Sequence, residues 1–207
     1  MNKTLNTLVA AMLLATTASA FAASSTELTV TGFITPAACE PFLSNGGNVT
    51  YGKIPAKDLD PVRPTHLGQQ TLQLTVTCDA PTKMALEARD NREGSDFEND
   101  PIRYGLGLIN GTEKLGDMEI FLRSPAADGV AAQAIESTDG GFNWAPERYL
   151  SRVSMTSVAD LGTLAPIPVE SFTADLVVDP RIAPTNQLTL TDEVPIDGSV
   201  TLTVIYL

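Results

Sequence analysis

The sequence predicts an all-β fold, on three observations. Apolar side chains recur at every second position in short runs, turn-forming residues separate the runs, and apolar spacing of helical period is almost absent beyond the N-terminal segment. Leu72, Leu74, Val76 and Cys78 alternate with Thr71, Gln73, Thr75 and Thr77, the pattern of a strand with one buried face. The following runs carry Met84, Leu86 and Ala88, then Ile102, Tyr104, Leu106 and Leu108, then Met118, Ile120 and Leu122, and further on Phe172, Ala174, Leu176 and Val178. Between two of them, Asn110-Gly111 predicts a hairpin, because both central positions of its tight turn take positive φ. Prolines and glycines fall mostly between runs, as at Pro61, Pro64, Pro125, Gly140, Gly141, Pro166 and Pro168. Val200, Leu202, Val204 and Tyr206 then alternate with Ser199, Thr201 and Thr203, which places a strand at the chain's end, closing on Leu207. Some seven short strands joined to one cysteine pair predict an immunoglobulin-like β-sandwich.

The N-terminal segment has a different character. Lys3 precedes an apolar run through Leu8, Val9, Ala10, Ala11, Met12, Leu13 and Leu14, and Ala20-Phe21-Ala22 ends it with small residues where a signal peptidase cuts. Residues 1–22 are expected to be a secretory signal peptide, with Ala23 the first mature residue. The apolar run is shorter than the roughly 20 residues that cross a bilayer core, and no later run approaches that length, so no membrane span is expected after signal cleavage. Export into an oxidising compartment makes a structural disulfide the simplest reading of Cys39 and Cys78, the only two cysteines. A redox pair usually has the close Cys-x-x-Cys spacing. Closing so long a loop is worth about 4 kcal/mol in the chain-entropy picture.

Composition narrows the function. With 13 Lys and Arg against 25 Asp and Glu, the net charge of -12 argues against nucleic acid, which a cationic face binds. A single histidine, His66, and two cysteines leave no material for a histidine-rich metal site or a multi-histidine acid/base centre. No Gly-x-Ser-x-Gly elbow is present, so neither enzymatic activity nor a cofactor is expected. His66 sits in a turn-rich stretch and is read as an exposed loop residue. Glu87, Asp90, Glu93, Asp96, Glu98 and Asp100 depart from the calcium-loop pattern and are read as a solvated acidic loop. Trp144, the single tryptophan, is read as a core residue, with stacking on a sugar as the alternative.

One further strand-like run lies near the start of the mature chain. Leu28, Val30, Gly32 and Ile34 occupy even positions, whereas Cys39, which must meet Cys78, is odd. A shift of one residue reverses every side chain, so the segment before Pro36 can serve a different surface from the segment after it. The signal peptide, this run with Gly32 at its middle, Thr35-Pro-Ala-Ala-Cys39, the second cysteine closing a strand at Cys78 and penultimate Tyr206 together resemble a pilin subunit of the chaperone/usher pathway. Tyr104-Gly-Leu-Gly-Leu-Ile109 and Ile196 to Leu207 look more like a family of fimbrial-like exported bacterial proteins of largely unassigned role. The stretch from Glu87 to Arg148 is longer and more acidic than a minimal pilin needs.

That resemblance implies an incomplete sandwich whose missing strand comes from another chain. Residues 23–36 would be the donated segment and 37–207 the pilin-like domain. Leu28, Val30, Gly32 and Ile34 would enter the groove of the next subunit, while Val200, Leu202, Val204 and Tyr206 would line this subunit's own groove. The Leu207 carboxylate would be held by basic residues of a periplasmic chaperone. An outer-membrane usher and neighbouring pilin subunits would be the other partners, and the route would run from periplasm to cell-surface fimbrium. The other reading of the run at Leu28 to Ile34 is the domain's own first strand. Two other classes remain open: a self-contained exported carbohydrate-binding β-sandwich with Trp144 and the acidic loop at its site, and a secreted hydrolase using carboxylates alone.

Overall fold

The structure, a computed structural model, describes residues 38–207, and it is all-β. The expectations placed on residues 1–37 lie outside the described residues: the signal peptide, the cleavage at Ala23 and the donor roles of Leu28, Val30, Gly32 and Ile34. In chain order the strands begin with β1 (Cys39–Leu43), β2 (Thr65–His66), β3 (Gln70–Thr82) and β4 (Met84–Asp90). Short pieces β5 (Arg103–Gly105), β6 (Leu108–Ile109) and β7 (Glu113–Lys114) precede β8 (Gly116–Ala127) and β9 (Val130–Ser137). The last are β10 (Ala145–Pro146), β11 (Met155–Asp160), β12 (Val169–Ile182) and β13 (Val200–Tyr206).

The main strands hydrogen-bond in the order β1-β3-β12-β8-β9-β11-β4-β13, every pairing antiparallel. The β8–β9 hairpin carries the path from one face to the other, so the ribbon folds around a single core. Leu74, Val76, Leu86, Val158, Phe172 and Leu176 meet there from both halves. Alternation sets the register: Leu72, Leu74 and Val76 of β3 stand opposite Leu176, Ala174 and Phe172 of β12, all buried. The expected strands at 71–78, 84–88, 118–122, 172–178 and 200–206 all form.

One run breaks into pieces. Ile102 to Leu108 is not a single strand: it contributes β5 and β6, and Leu108 is exposed. Gly107 has φ +91, which turns the chain, and at Gly105 an added Cβ would stand 1.9 Å from Ser95 Oγ, so this backbone is pressed against the preceding loop. Asn110 (φ 51) and Gly111 (φ 87) form the expected tight turn between β6 and β7.

The acidic stretch is only partly solvated: Glu87, Glu93 and Glu98 are exposed as expected, and the aspartates are drawn in. Asp90 and Asp96 are buried, and the Asp90 carboxylate accepts the backbone N–H groups of Arg92 at 2.7 Å and Gly105 at 2.9 Å. Arg181 donates to both oxygens of buried Asp117, at 2.7 and 3.2 Å, and to Glu98, with its guanidinium 4.8 Å from the Phe97 ring centre. Arg103 reaches Asp117 at 3.4 Å and Glu119 at 2.5 Å. Backbone N–H groups thus hold Asp90, while Arg181 and Arg103 pair buried Asp117 and Arg152 stands 3.4 Å from buried Asp96. Trp144 is likewise not a core residue. It is half-buried in the surface turn after β9, donating its indole N–H to the Gly141 carbonyl at 3.0 Å.

Candidate functional site

The disulfide forms as expected, Cys39 to Cys78, and ties β1 to β3. Both ends of the strand path are single-sided. Among the described residues, β1 pairs only with β3, and β13 only with β4. These two free edges approach each other at one end, where the Cys39 N–H donates to the Tyr206 hydroxyl at 3.0 Å.

Register on β4 fixes the orientation of β13. Val200, Leu202, Val204 and Tyr206 stand opposite Asp90, Ala88, Leu86 and Met84, residues whose side chains are buried, so the expected set does share one inward face. Yet Val200, Leu202 and Val204 are only half-buried, and Tyr206 is 43% exposed. Leu207 donates its N–H to the Lys83 carbonyl at 3.0 Å and is itself exposed.

Beyond the other end of the two edges lies a cavity of about 610 Å³. Val49, Tyr51 and Ile54 from the segment after β1 line one side, Leu190, Val194 and Ile196 from the segment before β13 line the other, and buried Leu115 and Ile182 contribute to the same lining. Burial and nearby Asp179 push the Tyr51 hydroxyl up to about 12. These residues were missed in the sequence although Leu190, Val194 and Ile196 continue the even-numbered alternation of β13 toward the N-terminus, a signal interrupted by Asp192 and Pro195, whereas Val49, Tyr51 and Ile54 keep no single period.

Polar contacts hold the 188–199 run in place. Arg92 grips Asp197 with two bonds, at 2.8 and 2.6 Å, and this side-chain bond lowers the Asp197 carboxyl below its ordinary range. Glu113 is lowered in the same way, chiefly by accepting the Thr189 N–H at 2.6 Å. Asn110 donates to the Thr189 carbonyl at 2.8 Å, and Asp197 donates its N–H to the Leu106 carbonyl at 3.1 Å. The long insertion between β4 and β8 thus braces the approach to β13. The arrangement offers an apolar trough along the half-buried inward row of β13, with an unpaired backbone edge beside it and the cavity beyond its end, a surface suited to an added extended strand. His66 lies apart from it, exposed on β2, with Nδ1 3.4 Å from an Asp179 oxygen.

Comparison with known proteins gives the same limited picture of role. A family model described as a protein of unknown function (DUF1120) matches residues 28–118. Protein GltF of Escherichia coli K12 is 28% identical, over 98% of this chain and 98% of its own length. The uncharacterized protein YhcF of the same strain is 25% identical, over 91% of this chain and 93% of its own. The family match begins at Leu28, so it includes the alternating run before Pro36 as well as β1, β3 and β4. No helix among the described residues is long and apolar enough to cross a membrane.

Proposed function

We propose that this protein is a structural or adhesive subunit of a surface fimbria, assembled by donor-strand complementation. In this reading the fold is an incomplete immunoglobulin-like β-sandwich without catalytic function. A periplasmic chaperone first covers its open edge, and at an outer-membrane usher the N-terminal segment of a neighbouring subunit replaces the chaperone. The observation that carries the reading is β13: its inward row is half-buried on an edge that no strand covers among the described residues, whereas the inward rows of the interior strands β3 and β12 are closed over.

A donor running antiparallel to β13 would set Ile34 beside Val200 and Leu28 beside Tyr206, so that alternate side chains meet the inward row of β13. Burying Leu28, Val30 and Ile34 at about 1.5 to 3 kcal/mol each contributes roughly 5 to 9 kcal/mol before ordering costs.

The test mixes purified chaperone complexes and follows subunit dimers on unheated gels. With Leu28→Asp or Gly32→Leu in the donor, the chaperone complex should form normally and dimers should be lost, because a buried unpaired carboxylate or a bulky side chain has no place in the trough. Deleting Tyr206 and Leu207 should abolish co-purification with the chaperone, where the terminal carboxylate is held by charge-assisted bonds. Normal dimers from both donor variants, or undiminished chaperone binding by the truncated chain, would overturn the proposal.

A further inference from the structure

On the outer face of β8, two arginines share one aromatic ring. Ile120 and Leu122 belong to the core, so Phe121 between them points outward. The run 148–150 lies along β8 there: the Leu122 N–H donates to the Arg148 carbonyl at 2.8 Å and the Leu150 N–H to the Ile120 carbonyl at 2.9 Å. This sets the Tyr149 ring beside that of Phe121, centres 5.3 Å apart. The Arg123 guanidinium lies 5.6 Å from the centre of the Phe121 ring, and that of Arg148 lies 5.1 Å from the same centre and 5.2 Å from the centre of Tyr149. Both arginines are exposed, and the ring they share is buried.

Each of the two has a carboxylate at hand and forgoes it. Arg123 stands opposite Asp175 in register, yet the two form no ion pair. A bulge follows Arg123, where Ser124 and Pro125 stand against Ala174 alone and Ser124 has φ 52. Bulges and left-handed non-glycine residues re-aim side chains and gather at functional positions. Arg123 turns instead to the Phe121 ring and to the Gln69 side-chain carbonyl, at 3.3 Å. Beside Arg148, the Glu147 Oε1 is taken up by the backbone N–H groups of Arg148 and Tyr149, at 2.7 and 3.0 Å, and the Arg148 guanidinium donates to the Tyr149 hydroxyl at 3.3 Å. Arg63, Arg92, Arg103, Arg152 and Arg181 all reach a carboxylate, and among the described residues Arg123 and Arg148 reach none. In a chain with 25 acidic residues against 13 basic ones, two like charges are thus gathered on one ring and held only by neutral acceptors. Most of their N–H donors are left over, and stacking fixes the guanidinium planes for forked bonds to an anion. Charge selects the class of anion. A phosphate monoester carries about -2 with three acceptor oxygens and matches two guanidiniums, whereas a carboxylate or a phosphodiester brings one charge.

We infer that Arg123 and Arg148 form a binding site for a phosphate monoester, carried by a soluble molecule or by a lipid headgroup, with Phe121 and Tyr149 as the platform that positions them. The site faces outward from β8, whereas the trough lies along the inward row of β13, so it stands independently of the strand-exchange reading.

The experiment titrates the purified full chain with inorganic phosphate and glucose 1-phosphate, with dimethyl phosphate and acetate as singly charged controls. In parallel the chain is floated with phosphatidylcholine vesicles that carry either phosphatidic acid, a monoester, or phosphatidylglycerol, a diester. Binding is read by calorimetry, by flotation and by the Nε–H signals of Arg123 and Arg148. A monoester should bind more tightly than either singly charged control, and Arg123→Gln or Arg148→Gln should each weaken it about tenfold through the loss of charged hydrogen bonds. Arg148→Lys, which keeps the charge and loses the stacked fork, should weaken it severalfold. Arg89→Gln, which removes an exposed arginine of β4 remote from the ring, should change nothing. Binding of glucose 1-phosphate without flotation identifies a soluble source, and flotation with phosphatidic acid but not with phosphatidylglycerol identifies a headgroup. No binding of a monoester in either form, equal binding of the singly charged controls, or the same loss from Arg89→Gln as from the other two variants would overturn the assignment.

Discussion

β12 and β13 carry nearly the same sequence pattern and meet different fates. Phe172, Ala174 and Leu176 alternate along β12 as Val200, Leu202 and Val204 do along β13, yet the first three are 1–3% exposed and the second three only partly buried. The difference is the number of neighbours. β12 lies between β3 and β8, whereas β13 has β4 on one side and no strand on the other among the described residues. Alternation states which side chains face inward, and the sheet order decides whether anything covers them.

The largest expected effect tests that contrast directly. Phe172→Ala should cost about 3 to 5 kcal/mol in chemical denaturation, because it opens a cavity between two flanking strands. Leu202→Ala in the same uncomplexed protein should cost only about 1 kcal/mol, since its side chain is already partly solvated. Equal costs would mean that β13 is not an open edge. The penalty at Leu202 should grow when the trough is occupied by a partner strand, which sharpens the comparison further.

The opposite edge responds through its staple. β1 is held by one strand, β3, and by the Cys39–Cys78 bond, whose partners are 39 positions apart. Replacing both cysteines with serine should lower stability by about 2 to 4 kcal/mol, and the protection of β1 amides from hydrogen exchange should fall before that of β12. A loss spread evenly over both strands would show that β1 does not depend on the bond.

The smallest effect lies in a turn remote from both edges. Asp139 is held down to about 2, chiefly by the Asn143 backbone N–H and then by the Asn143 and Ser137 side chains. Because its folded value is depressed, the stabilisation it supplies is present above the ordinary carboxylate range and is lost as pH falls toward 2. Amide shifts of Phe142 and Asn143 should therefore titrate near 2 while those of β12 stay fixed, and Asp139→Asn should remove that transition. A midpoint near 4 would contradict the turn geometry.

The strands with strict alternation, their inward faces, the hairpin at Asn110-Gly111 and the cysteine pair were all legible in the sequence. The reason is local: period-2 burial, positive φ and the scarcity of cysteine each act over a few residues or admit one pairing. The run at 102–108 misled because Gly105 and Gly107 answer to a close loop contact, not to a strand. The acidic stretch misled at Asp90 and Asp96, whose partners, the Gly105 N–H and Arg152, come from later in the chain. Trp144 took its place from a turn bond to Gly141. Of the candidate site, the inward row of β13 could be read beforehand, while the cavity beyond its end could not. It arises where two segments outside the strands come together, and sheet order is fixed by long-range pairing that no local pattern encodes.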